Sequence, residues 1–201
     1  MRSDGRPRKL KRGSRRTRHL CLVFGALVCI LPGWQCAESQ EHPTEAQVKS
    51  AYLYNFGKFV RWRLAAESES FDICVLGRNP FGSTLSNTVA GERIDGKNIV
   101  ARNVVGLEGI SHCKILFIST SEEPRLKASL AASRRASILT VSDVPGFAER
   151  GGMIGMVNVG GKIRFEVNVA AVTDAGLTVS SELLKVAVKV IGTNPQKEIA
   201  R

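Results

Sequence analysis

Cys74, Cys113 and the His112 that precedes Cys113 are residue types that can carry chemistry. Thiols and an imidazole could ligate a soft metal or form a nucleophile–base pair. A four-ligand zinc site finds too few partners, because the other histidine after position 39, His42, falls in a tail before the first helix. A Ser-His-Asp arrangement has only His112 to draw on, and that residue reads as part of a loop. Gly91-Glu-Arg-Ile-Asp-Gly96-Lys97 repeats the first seven positions of a phosphate-binding loop. However, Asn98 stands where Ser or Thr would hold magnesium, Glu92 and Asp95 place negative charge where phosphate would sit, and a strand follows instead of a helix. A turn with two glycines accounts for the segment. Glu122 and Glu123 open a helix, where they favour the positive end of its dipole. Asp143 precedes a Pro-Gly turn and suits the capping of backbone amides. These residues assemble no catalytic machinery, so the expectation is a non-enzyme without metal or cofactor.

The elements that position these groups begin after an address. The 201 residues carry 29 Lys plus Arg against 18 Asp plus Glu, a formal charge of +11 that by itself suggests a nucleic-acid or anionic-membrane partner. Nine of the basic groups and only two acids lie in residues 1–39, leaving twenty basic against sixteen acidic groups, or +4, for residues 40–201. Nucleic acid is therefore not an expected partner. The order of features from Met1 is a basic stretch to His19, a twelve-residue apolar run from Leu20 to Leu31, then Pro32-Gly33 and small or polar residues. That is the layout of a cleaved secretory signal, and the apolar run falls well short of the ~20 residues that span a bilayer as a helix. Ala37-Glu38-Ser39 offers small residues at the positions a signal peptidase reads. Ser14-Arg15-Arg16-Thr17 matches a twin-arginine signal only in part, and Trp34-Gln35 before Cys36 disfavours a lipid anchor. The expected organisation is a signal peptide at 1–39, a short tail at 40–45, one domain at 46–192 and a C-terminal tail at 193–201, with the protein exported.

Export also changes the cysteine count. Cys21, Cys29 and Cys36 leave with the signal, and the remaining pair in an oxidising compartment favours a disulfide between Cys74 and Cys113, with two buried free thiols as the alternative.

Within the domain, Thr44-Glu-Ala-Gln47 has the spacing of a capping box. Val48, Tyr52, Phe56, Phe59 and Val60 then recur at steps of three and four, which predicts a helix with one apolar face. Five of the ten aromatic residues after position 39 fall here: Tyr52, Tyr54, Phe56, Phe59 and Trp62. They read either as the main core element or, where the core does not use them, as a ligand or partner surface. A strand at 71–77, a helix at 81–89 introduced by Asn79-Pro80, a half-exposed strand at 97–105 and a buried strand at 113–118 follow. A helix to about Ser133 and a short strand at 137–141 come next. Strands at 153–159 and 162–169 flank Gly160-Gly161, the composition of a tight hairpin. A last amphipathic helix is expected from Ser180 through Ile191. The fold class this predicts is a single-domain α/β sandwich, a mixed β-sheet flanked by helices with a C-terminal antiparallel hairpin and helix. Such a fold with an aromatic helix could also house a pocket, so a periplasmic small-ligand sensor or an envelope accessory protein stands as the competing reading.

Several segments in collinear order resemble the YfiR family of bacterial periplasmic proteins: Ala51–Trp62, Ile73–Gly77 with Asn79–Gly82, Gly96-Lys97, His112–Ser119, Leu139–Asp143 with Gly146–Ala148, Gly151–Ile154 and Ile163–Asn168. The resemblance implies a regulator that binds the periplasmic sensor domain of an inner-membrane diguanylate cyclase and represses it, lowering cyclic di-GMP and disfavouring biofilm. It also implies an outer-membrane lipoprotein that sequesters the repressor, and a homodimer. Cys74 and Cys113 match one family bridge, whereas a second, more C-terminal cysteine pair of some members is absent. Tyr52, Tyr54, Phe59 and the exposed part of Phe147 are the expected partner-binding residues.

Overall fold

Thr44 opens the first helix as the capping-box spacing predicts. Its hydroxyl oxygen accepts the Gln47 amide hydrogen at 3.3 Å, and its own amide donates to Gln47 Oε1 at 2.6 Å. The computed structural model describes residues 42–62 and 68–192. The signal segment at 1–39 and the tail at 193–201 lie outside the described residues. Helix α1 (Glu45–Phe59) buries Lys49, Ser50, Leu53, Phe56 and Gly57, a face turned from the expected stripe. The cause is a close approach to the sheet: a Cβ on Gly57 would stand 2.5 Å from Ile94 Cδ1 and 3.1 Å from the Phe71 ring. Gly57 lets the Leu53 and Phe56 face approach the sheet, and Val48, Tyr52 and Phe59 lie along the flank.

Strands β1 (Val60–Trp62) and β2 (Ser70–Leu76) follow, then helix α2 (Thr84–Val89). This helix starts three residues later than expected. Asn79 Oδ1 accepts the Phe81 amide at 2.8 Å, so Pro80 sits in a turn instead of a first helical turn. Strands β3 (Arg93–Ile94) and β4 (Lys97–Val104) form a hairpin across Asp95 and Gly96, both with positive φ, and the phosphate-loop look-alike is thus a glycine turn. Strand β5 (Cys113–Ile118) leads through a 3-10 turn at Thr120–Arg125 into helix α3 (Leu126–Arg135), and β6 (Leu139–Ser142) follows. The pair β7 (Ile154–Val159) and β8 (Lys162–Asn168) turns on Gly160-Gly161, whose φ values of 58° and 77° suit a tight hairpin only glycine adopts freely.

Downstream of β8 come helix α4 (Val169–Asp174), strand β9 (Leu177–Val179), helix α5 (Ser181–Val186) and strand β10 (Lys189–Ile191). The final helix expected through Ile191 is thus only six residues long. Beyond it the β-branched Val188, Val190 and Ile191 extend the chain into an edge strand, parallel to β8 with Lys189 opposite Glu166.

The main sheet runs β10-β8-β7-β6-β5-β2-β4-β3, parallel through its centre and antiparallel at β7–β8 and β3–β4. A separate ribbon pairs β1 with β9. One face carries Ile73, Val75, Ile115 and Phe117 beneath α1, α2, α4 and α5, and the other carries Leu76, Leu116 and Ile118 beneath α3. The architecture is the expected α/β sandwich with a mixed sheet.

Candidate partner surface and disulfide

Successive residues of an α-helix are turned by about 100°, so Tyr52 and Phe59, seven apart, lie nearly in line, roughly 10 Å apart along the axis. Tyr54, two residues from Tyr52, emerges on the opposite flank. The contacts agree. Tyr52 donates its hydroxyl hydrogen to the Ile163 carbonyl on β8 at 3.1 Å, stacks on Phe56 and meets Phe165 edge-on. Half of the ring is thereby tied into the core, and the other half lines a groove of about 480 Å3 between α1 and the β7–β8 hairpin. Glu45, Val48, Lys162 and Arg164 also line it. Phe59, at the end of the helix, is 37% exposed, while its carbonyl accepts the Ser180 amide.

Tyr54 instead donates to Glu92 Oε2 at 2.6 Å under the Lys58 ammonium. The hydrogen bond to Glu92 holds its phenol above the usual range, since ionisation would set two negative charges side by side. Trp62 leaves the helix altogether and packs edge-on against Phe71 from β1.

Phe147 corrects an expectation. It has no exposed part: the ring is 1% exposed, sits in the α3-side core and is roofed by Gly152, where a Cβ would stand 2.2 Å from the ring. Pro145 and Gly146 stay at the surface as a Pro-Gly turn predicts, but the next residue, Phe147, turns inward and anchors the segment in the core. The structure therefore brings Tyr52 and Phe59 to one flank, sets Tyr54 on the other, and removes Phe147 to the far face.

Lys49, which the sequence reading passed over, holds the start of this surface in place. Its ammonium lies 2.5 Å from Asp143 Oδ2 and 2.5 Å from Glu45 Oε1, although the residue is buried. Burial alone would lower its pKa; the hydrogen bonds to Asp143 and Glu45 outweigh that and raise it. The signal was a charged residue at position i+4 from Glu45 with the period of the buried face.

Cys74 and Cys113 form a disulfide, with Cα atoms 5.8 Å apart and a sequence separation of 39. It joins adjacent central strands on the α3 face. Its neighbours are Asp72, His112 and Arg102, with Asp72 Oδ2 accepting from Arg102 Nε at 2.7 Å.

A disulfide-stapled α/β sandwich that opens an aromatic helix flank to solvent is the class of domain these features define. A family model described as DUF4154, YfiR/HmsC-like, matches residues 46–188, and the chain belongs to that family. The family is one of periplasmic regulators, not of known enzymes. No curated protein matches the chain. Among solved structures, a conserved domain protein from Vibrio cholerae O1 biovar El Tor str. N16961 is similar in fold, with a TM-score of 0.51 at 11% identity over 73% of this chain and 60% of that one. The chain thus spans three fifths of the length of that structure. The ABC domain in complex with L-Trp from Streptococcus pneumonia reaches a TM-score of 0.44 at 13% identity, covering 60% of this chain and 55% of that one. Among the described residues, no helix is long and apolar enough to cross a membrane.

Proposed function

We propose that the protein is a periplasmic repressor that binds the sensor domain of an inner-membrane diguanylate cyclase, holds the enzyme inactive and so lowers cytoplasmic cyclic di-GMP. The observation that carries this reading is the family match over residues 46–188, which takes in most of the described fold. The α1 flank supports it: Val48 and Tyr52 line a groove with Lys162 and Arg164, and the exposed Phe59 stands in line with Tyr52 farther along the helix. A repressor shifts its target only through a difference in affinity for the inactive and active states, and about 5.5 kcal/mol of difference drives a near-complete switch. An outer-membrane lipoprotein that competes for the repressor would release the cyclase, and a homodimer would present two such flanks to a dimeric sensor.

Capture from detergent-solubilised envelopes with the mature protein as bait tests the reading. It predicts recovery of a membrane protein with a cytoplasmic diguanylate cyclase domain, together with a rise of cellular cyclic di-GMP on deletion of the gene. Unchanged cyclic di-GMP in a strain that retains the captured cyclase defeats it, and recovery of a transporter or receptor instead redirects it to the envelope-accessory reading.

A further inference from the structure

On the face opposite α1, the start of β5 gathers ligand atoms of a kind that binds metal. Cys74, His112 and Cys113 each contribute one, and these lie within 4.8 Å of one another. Asp72 adds a carboxylate, its Oδ2 3.8 Å from His112 Nε2. Cys74, Cys113 and Asp72 are buried, whereas the His112 side chain is 45% exposed and opens the cluster to solvent. We propose that, once the Cys74–Cys113 disulfide is reduced, Cys74, Cys113, His112 and Asp72 form a four-coordinate site for a thiolate-preferring divalent cation, with Zn2+ the best match.

The donor set selects the metal. Two thiolates and an imidazole favour zinc over magnesium or calcium, and a carboxylate completes a tetrahedron. Zinc–ligand bonds of about 2.0–2.3 Å place the donor atoms of a tetrahedral site roughly 3.5–4 Å apart, the range in which the 3.8 Å between Asp72 Oδ2 and His112 Nε2 already falls. The charges also close. Two thiolates and Asp72 carry three negative charges, against two on zinc and one on Arg102, so the buried cluster is neutral with metal bound. Ser70 Oγ donates to Asp72 Oδ1 at 2.6 Å and Arg102 Nε to Oδ2 at 2.7 Å, which fixes the carboxylate and leaves lone pairs on both oxygens.

The chemistry balances with an external dithiol as reductant. The dithiol gives two electrons and two protons to the S–S bond, leaving two thiols in the protein and a disulfide in the reductant. Zn2+ then forms two Zn–S bonds and releases the two thiol protons. The disulfide and the metal are thus alternative cross-links for the same pair of strands.

Cobalt provides a spectroscopic probe. Protein purified from the periplasmic fraction, reduced with a phosphine and titrated with Co2+, is expected to develop a thiolate-to-cobalt charge-transfer band and intense visible bands of tetrahedral cobalt at one metal per chain. Zn2+ is expected to bleach both. The oxidised protein is expected to bind at least 100-fold more weakly, and the Cys74→Ser variant to lose the charge-transfer intensity of one thiolate. His112→Ala, at a position whose side chain is 45% exposed, is expected to weaken binding at least tenfold, and Asp72→Asn to do so in the same direction. A reduced protein without the charge-transfer band overturns the proposal, whether its circular dichroism is native or unfolded. So does unchanged Co2+ affinity in His112→Ala, or a stoichiometry of one metal per two chains.

Discussion

The Lys49 ammonium, 2.5 Å from Asp143 Oδ2, ties helix α1 to the end of β6 across 94 positions of sequence. Asp143 Oδ1 is buried and has no hydrogen-bond partner, so its carboxylate depends on Lys49. Lys49→Met leaves that carboxylate uncompensated and is expected to cost about 2–4 kcal/mol, below the full value for a buried pair because the Asp143 side chain is 21% exposed. Lys49→Met with Asp143→Leu is expected to recover most of the loss. Urea denaturation of the single and double variants checks both.

The same ion pair sets a pH dependence. Because the folded-state pKa of Lys49 is raised, its contribution is fully present below the unfolded value near 10.5 and fades as pH rises through the higher folded value. The stability gap between wild type and Lys49→Met is therefore expected to stay level from pH 7 to about 10 and to narrow at more alkaline pH. A gap that already narrows near neutrality would show that Lys49 is not the titrating group.

Removal of the bridge by Cys74→Ser with Cys113→Ser is expected to lower stability by about 2–4 kcal/mol, since the closed loop restrains the unfolded chain. Thiol titration of the mature, unfolded protein without reductant is expected to find no free thiol, and two after reduction.

Phe59 and Phe147 separate surface from core. Phe59→Ser removes an exposed ring and is expected to leave the urea midpoint nearly unchanged while weakening capture of the membrane partner at least tenfold. Phe147→Leu cuts into a buried cluster and is expected to cost about 1–3 kcal/mol with capture intact wherever the variant is folded.

Gly152→Ala is expected to cost about 1–3 kcal/mol by overpacking, because its Cβ would meet three ring atoms of Phe147 at 2.2–2.5 Å. Adding Phe147→Leu to that variant is expected to return part of the loss, a coupling that thermal melts of the four proteins of the cycle measure.

Much of this protein was legible in the residues themselves. The capping box at Thr44, the apolar run 113–118 and Gly160-Gly161 between alternating strands are local signals, and each became the element it predicts, because capping, burial and turn conformation act within a few residues. The α/β class and the family followed from them. Which face an element buries was decided elsewhere. In α1 the spacing of Val48, Tyr52 and Phe59 named the large apolar residues, but the close approach at Gly57 turned them outward to the flank. The short Ser181–Val186 helix and the edge strand after it were likewise decided by the free edge of β8, which offers hydrogen bonds to any extended chain that reaches it.

Cys113 shows the limit most plainly. Strict alternation along β5 would send it to the face of Ile115 and Phe117, away from Cys74. The ladder to β2 instead shifts register at this point, with Asp72 opposite Cys113 and Ile73 opposite Ile115, so Lys114 is an extra residue and Cys113 turns to the α3 face. Composition and the expected compartment favoured a disulfide between the two cysteines and left free thiols as the alternative. Only the packed sheet, by bulging one strand against its neighbour, decided that they could meet, and in the same step set His112 and Asp72 beside them.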